Sequence, residues 1–240
     1  MVSPYNNEHS GKKEEVAHMF NNIAHSYDFL NHFLSLGIDK IWRKKAIKKL
    51  KPYNPKTILD IATGTGDFAI EAAKKLKPES IIGVDISEKM LEKGKEKILK
   101  KGLSSTISMN LGDCEQLTFD TASFDACLTG FGVRNFENLD KGLSEICRVL
   151  KPGGVACILE FAQPSAFPIK QLYAFYFKKI VPFIGSMFSK NSHAYTYLPN
   201  SVDAFPYGKK LETKLKKAGF SYTTHTSLSF GIAMLYFCKK

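Results

Sequence analysis

Apolar residues recur along this chain in two rhythms, and the alternation between them predicts the fold. Short, mostly apolar runs occupy residues 57–61, 81–85, 124–129 and 155–161, and 106–112 alternates apolar with polar, each with the length of a strand. Between them, at 67–76, 88–101 and 139–150, apolar positions fall three or four apart, as helices that cover a sheet require. Ser87 is a ready N-cap for the second of these helices. The run Lys151-Pro152-Gly153-Gly154 predicts a sharp turn before the fifth strand. A helix at 209–218 precedes two last strands at 222–229 and 232–238, read as an antiparallel pair. Such alternation predicts an α/β fold: a parallel sheet covered on both faces.

Two segments break the alternation. Residues 14–33 place Val16, Met19, Phe20 and Ile23 on one helical face, and 39–50 do the same with Trp42, Ala46, Ile47 and Leu50. Together, 14–51 predict a helical cap over a ligand site. Residues 162–206 form an insertion before the last helix. Within it, 168–188 mixes aromatic and apolar side chains, among them Leu172, Tyr173, Phe175 and Phe177, with Lys170, Lys178 and Lys179. That insertion is expected to overhang the strand ends, either as an apolar entrance or as a packing helix. The polar residues 1–13 are expected to be flexible, and 14–240 to be a single domain.

Composition narrows the picture. A chain of 240 residues, 44% hydrophobic, suits one α/β domain with decorations. It has no apolar run of about 20 residues, the length of a membrane span. The five cysteines are odd in number and form no CxxC pair, so buried reduced thiols are expected and a metal site is not. The net charge of +11 would favour RNA, an anionic membrane surface or an acidic ligand. The basic run Arg43, Lys44, Lys45, Lys48 and Lys49 reads first as a solvated helix face.

Candidate chemistry gathers at the strand ends. The first strand ends at Asp60 and runs into Gly64-Thr65-Gly66-Asp67, a turn whose glycines allow left-handed torsions and open N–H groups. The spacing also fits a dinucleotide-binding loop or a plain strand-to-helix turn. Asp85 ends the second strand, about 20 residues on, where a carboxylate can accept from two ribose hydroxyls. Two acidic strand ends would repel a pyrophosphate. They suit S-adenosylmethionine (SAM), which carries an ammonium, a sulfonium and a ribose. Asp113 and Cys114 close the third strand, where an adenine would lie. Gly130-Phe131-Gly132-Val133-Arg134-Asn135 follows the fourth. Arg134 and Asn135 there can bind an oxygen anion, or Arg134 can serve a structural salt bridge.

With Leu150-Lys151-Pro152-Gly153-Gly154, this pattern resembles the class I SAM-dependent methyltransferases. The segments 60–67 and 130–135, Tyr195-Thr196-Tyr197-Leu198-Pro199-Asn200-Ser201, and the opening 20–28 with Asn31 resemble, more narrowly, the ubiquinone/menaquinone biosynthesis C-methyltransferase family. The resemblance implies a Rossmann-like, doubly wound, mostly parallel seven-stranded sheet with an antiparallel C-terminal strand. It implies SAM-dependent methylation of a ring carbon in a prenylated hydroquinone, either demethylmenaquinol or a 2-methoxy-6-polyprenyl-benzoquinol. By motif position it implies cofactor contacts at Thr65, Asp85, Asp113, Cys114 and Gly130, beside Asp60, Gly64 and Gly66 of the loop. The chain departs from the family at Asp113-Cys114, where many members carry Asn-Ala, and at Gly130, where some carry Ser. Arg134 would stabilise a developing phenolate, Asn135 would orient its oxygen, and Tyr27 or Asp28 would close the site. His25 and His193 are further candidate bases. The expected partners are the prenylated quinol and, transiently, an anionic membrane surface, with no nucleic acid; a homodimer is left open. The expected location is cytoplasmic, peripheral at the inner face of the membrane. Rival readings are an RNA methyltransferase, against which the missing Asn/Asp-Pro-Pro-aromatic motif counts, and a SAM-binding scaffold.

Overall fold

The computed structural model describes residues 2–5, 7, 10–28, 35–181 and 192–240. At its centre is one seven-stranded sheet: β1 (Thr57–Ile61), β2 (Ser80–Asp85), β3 (Ile107–Leu111), β4 (Phe124–Gly130), β5 (Leu150–Phe161), β6 (Tyr222–Leu228) and β7 (Ala233–Lys239), in the order β3-β2-β1-β4-β5-β7-β6. The first five strands pair parallel, and β7 inserts antiparallel between β5 and β6. The strand order reverses direction at β1 and β4. In an open α/β sheet the crevice outside the carboxyl ends of such strands is where ligands sit.

The helices are α1 (Lys12–Ile23), α2 (Ile38–Leu50), α3 (Asp67–Leu76), α4 (Glu88–Lys100), α5 (Leu139–Val149), α6 (Ile169–Phe175), α7 (Ser192–Ala204) and α8 (Lys209–Lys217). Each long helix buries the stripe its spacing predicts. Trp42, Ala46 and Leu50 of α2 pack with Phe68 and Ala72 of α3 and Ile98 of α4 over one face of the sheet. Leu143 and Ile146 of α5 pack with Leu211 and Leu215 of α8 over the other. The Ser87 and Asn138 side chains cap α4 and α5 by accepting from the N–H groups of Met90 and Lys141. All five cysteines are buried and unpaired.

Two expectations are corrected. The Lys151–Gly154 turn does not precede β5 but bulges from it: Leu150 pairs with Phe124 and Val155 with Ala126, so the residues between loop out of register. Gly153 supplies the left-handed torsion (φ 76°) that this bulge needs. The first cap helix stops at Ile23, where the N–H and the hydroxyl of Ser26 both turn back onto the Ile23 carbonyl. The expected continuation over 29–33 lies outside the described residues, as does 182–188 of the aromatic segment. Before α1, the buried Glu15 carboxylate accepts from the Ser3 and Ser10 hydroxyls and the Tyr5 and Asn7 N–H groups. A buried charge with one set of donors nearby recruits the chain that carries them.

Candidate active site

Two cavities meet at the carboxyl ends of β1 and β4, sharing Phe20, Tyr27 and Phe131 in their walls. The smaller, about 60 Å³, is lined by Gly64, Asp85, Asp113, Cys114, Gly130 and Asn135, six of the residues singled out in the sequence. The larger, about 260 Å³, is walled mainly by apolar and aromatic side chains from α1, α2 and the 162–206 insertion.

The glycine loop is held from beneath. Asp60 Oδ2 accepts from the Thr63 hydroxyl at 2.7 Å and the Ala69 N–H at 3.0 Å, while Oδ1 is buried without a partner. Burial pushes the Asp60 carboxyl up to about 7, although Thr63, Ala69 and the Arg43 charge oppose that. Asp60 therefore lies under the loop rather than in the cavity wall. Gly66 opens α3 with φ 79°, which a side chain would strain. Asp85 accepts from the Gly64 N–H at 2.8 Å and the Ser87 N–H at 2.9 Å, tying the loop to β2. Burial raises its pKa too, against those N–H donors.

The Thr65 side chain faces elsewhere. Its hydroxyl donates to Asp28 at 2.5 Å and accepts from Lys97 at 2.9 Å, and Lys97 also pairs with Asp28 and Asp67. Thr65 lines neither cavity. Asp113 is also engaged: Oδ2 pairs with Lys13 of α1 at 2.6 Å, and Oδ1 accepts from the Glu115 N–H. Cys114 is buried behind it, its thiol pKa pushed up by burial.

Arg134 and Asn135 sit on a short 3-10 turn after β4 (Val133–Asn135). Their loop is pinched: Ala62 and Phe131, at the ends of β1 and β4, both hold positive φ, and a Cβ on Gly132 would lie 2.5 Å from Ala62 Cβ. Arg134 Nη1 pairs with Glu160 Oε1 at 2.8 Å and donates to the Phe131 carbonyl. Its Nε is buried without a partner, and the side chain lines the larger cavity. Arg134 thus forms the structural salt bridge of one reading and also lines the apolar cavity. Asn135 Oδ1 accepts from the Tyr197 hydroxyl at 3.1 Å. Tyr27 reaches both cavities, while His25 is exposed and lines neither. The His193 side chain lies outside the described residues.

Several site residues escaped the sequence reading. Glu160 was legible as a lone acid inside the apolar run of β5. Asp39 and Arg43 form a buried ion pair in the wall of the larger cavity, so Arg43 does not belong to the solvated face of α2. Their i,i+4 spacing was the available signal. The strain at Ala62 and Phe131 left no trace in the sequence.

A seven-stranded sheet of this order, with acidic strand ends around a glycine loop at its switch point, is that of a class I SAM-dependent methyltransferase. The Asp85 carboxylate in the wall of the smaller cavity fits a ribose, and the buried Asp60 beneath the loop adds negative charge that suits a cationic ligand above it. A solved SAM-dependent methyltransferase from Thermotoga maritima has the same fold, with a TM-score of 0.64 at 23% identity, covering 93% of this chain and 99% of that one. The ubiE/COQ5 methyltransferase family matches residues 8–240, and the chain belongs to that family. It is 51% identical to the demethylmenaquinone methyltransferase of Bacteroides fragilis over 100% of this chain and 97% of the relative. It is 46% identical to the ubiquinone/menaquinone biosynthesis C-methyltransferase of Geotalea daltonii over 95% of this chain and 97% of the relative. It is thus a SAM-dependent methyltransferase.

Proposed function

We propose that this enzyme methylates a ring carbon of a prenylated hydroquinone, converting demethylmenaquinol to menaquinol. The observation that carries this reading is the apolar cavity of about 260 Å³ opening beside the cofactor residues, in a chain 51% identical to a demethylmenaquinone methyltransferase. An aromatic slot of that kind takes a fused ring and the root of a prenyl tail. The ubiquinone precursor is the second substrate, favoured by the name of the Geotalea daltonii relative.

Bound SAM supplies an electrophilic methyl group on a sulfonium. For it, Asp85 would hold the ribose, Asp113 and the Cys114 N–H would serve the adenine, and the backbone of Gly64, Thr65, Gly66 and Gly130 would keep the approach open. Asp60 contributes negative charge beneath the loop. Arg134 donates from Nε–H to the quinol oxygen beside the reacting carbon. Its charge is already balanced by Glu160, so it acts as a fixed dipole that lowers the cost of phenolate character. It does not take the proton, since guanidinium stays charged. Asn135, oriented by Tyr197, and Tyr27 hold the ring between the two cavities. Positioning supplies much of the rate in such a pre-assembled reaction.

Of the exposed apolar residues, Leu36 lines the larger cavity, and Leu172, Phe175 and Phe230 neighbour its lining residues in sequence. Leu36, Phe167, Leu172, Phe175 and Phe230 are each more than 60% exposed. On α2, Lys40, Lys44, Lys45, Lys48 and Lys49 are exposed with no exposed acid among them. We assign this face to transient contact with an anionic bilayer, from which a prenylated quinol would enter. Among the described residues no helix is long and apolar enough to cross a membrane.

The test is methyl transfer from labelled SAM to chemically reduced demethylmenaquinol, with the reduced ubiquinone precursor, the oxidised quinone and bulk tRNA alongside. Label in demethylmenaquinol and not in the oxidised quinone is expected. Label in tRNA, or SAM binding with no transfer to either quinol, overturns the reading.

A further inference from the structure

Most polar side chains in the wall of the apolar cavity are already satisfied. Arg43 pairs with Asp39, Tyr197 donates to Asn135, Ser35 donates to Asp39, and Tyr27 and Tyr176 are engaged. Among the described residues lining it, two buried side-chain atoms have no partner: Nε of Arg134 and the hydroxyl of Tyr173. Folding does not leave buried donors empty without cost, and a fold that keeps two in one cavity points to something that fills them. Both sit against aromatic rings. The Tyr173 ring lies against Phe177, with centroids 4.3 Å apart and planes 31° apart. Phe177 abuts Phe161 at 5.8 Å, and the Arg134 guanidinium lies over Phe161 at 5.5 Å. One run of aromatic contacts therefore links both orphan donors. Burial also raises the Tyr173 pKa, so its hydroxyl keeps its proton and remains a donor.

A para-hydroquinone has the matching need. Its two oxygens project from opposite ends of a flat apolar ring. A slot that satisfies only one leaves the other desolvated. We propose that the Tyr173 hydroxyl binds the second ring oxygen, the one beside the prenyl-bearing carbon, while Arg134 takes the oxygen beside the reacting carbon. This assignment rests on the quinol reading above. Two fixed donors define which way the ring lies, and so which carbon faces the cofactor. Tyr173 is thereby a substrate-orienting residue. A monohydroxy ring meets only one of the two donors and loses that constraint.

The experiment compares wild-type enzyme with Tyr173→Phe on two substrates: the reduced quinol, and a prenylated naphthol carrying only the oxygen beside the reacting carbon. Tyr173→Phe is expected to lower kcat/KM on the quinol about 10- to 100-fold, the scale of one lost buried hydrogen bond. On the naphthol, wild type and variant are expected to perform alike. SAM affinity is expected to be unchanged. The variant's Tm is expected to be no lower than wild type, because the substitution removes an unsatisfied hydroxyl. An unchanged kcat/KM on the quinol overturns the assignment. So does an equal loss on both substrates, or a loss accompanied by weaker SAM binding and a lower Tm, which marks a packing role. Absence of transfer to the quinol by wild type overturns the functional reading itself, whereas normal wild-type transfer with an indifferent variant overturns only the role of Tyr173.

Discussion

Asp60 is the residue at which burial and its proposed role pull in opposite directions. Its folded pKa, about 7, lies above the ordinary carboxylate range. The neutral form is therefore favoured in the fold. Stability from this group is complete below the ordinary carboxylate pKa and is lost progressively as pH rises to about 7. A cationic ligand above the loop reverses that preference, because it favours the ionised carboxylate. SAM affinity is accordingly expected to fall up to about tenfold per pH unit below 7. Titration calorimetry at pH 6 in two buffers of different ionisation enthalpy should register proton release on binding. Asp60→Asn is expected to flatten the pH dependence at the weaker, low-pH affinity, since its amide can keep the Thr63 and Ala69 contacts without the charge. A variant that binds SAM with the wild-type pH profile would remove Asp60 from the account. Asp60 was legible from the sequence as an acid at a strand end. Its place beneath the cavity was not, because that depends on how far the loop rises over it.

At the scale of elements, α1 is the decisive piece. It carries Val16, Met19 and Phe20 into the cavities and joins the cofactor side through the pair of Lys13 with Asp113. Lys12 anchors its start by donating from Nζ to the Arg134 and Phe136 carbonyls at 3.0 and 2.8 Å. Burial, with the Arg134 charge, lowers that lysine to about 8. Glu15 then organises the strap before the helix. Burial alone would raise its pKa, but the Ser3, Tyr5, Asn7 and Ser10 donors outweigh it and hold the carboxyl down to about 2. A depressed folded pKa means that its stabilisation is present above the unfolded value of 4.5 and lost as pH falls towards about 2. Glu15→Gln is expected to expose residues 3–10 to proteolysis at pH 7 and to raise amide exchange at Tyr5 and Asn7 about tenfold or more. The difference from wild type should shrink as pH falls from 4.5 to about 2. Equal exchange in the two proteins at pH 7 would show that the strap is held by other contacts. The helix itself was legible from its apolar spacing. The strap was not, since a polar segment carries no periodic signal and is ordered only by the carboxylate it meets.

For the whole molecule, the sheet order brings the ends of β1 and β4 together, and the N-terminal helices with the described residues of the 162–206 insertion roof the crevice between them. The roof leaves apolar side chains outside, which is costly in water unless a surface covers them. Full-length enzyme is expected to co-sediment with anionic vesicles and to detach as salt rises, because the basic α2 face is screened. Replacing Phe167, Leu172 and Phe175 by Ser is expected to weaken vesicle binding about tenfold or more while turnover of quinol in detergent micelles is retained. Unchanged vesicle binding in that variant would mean that the fringe does not meet lipid.

The sequence by itself determined the α/β class, the strand–helix order, the antiparallel end of the sheet and the candidate cofactor residues. Those features follow from periodicity and from residue types whose spacing along the chain is local. The tertiary structure decided the rest. It turned the Thr65 hydroxyl into an ion-pair cluster, gave Arg134 its Glu160 partner, buried Arg43 against Asp39, and left Tyr173 and Arg134 as the unsatisfied donors of one cavity. Each of these depends on which groups, distant in the chain, are desolvated together. Desolvation is a property of the packed whole, and no window of sequence contains it.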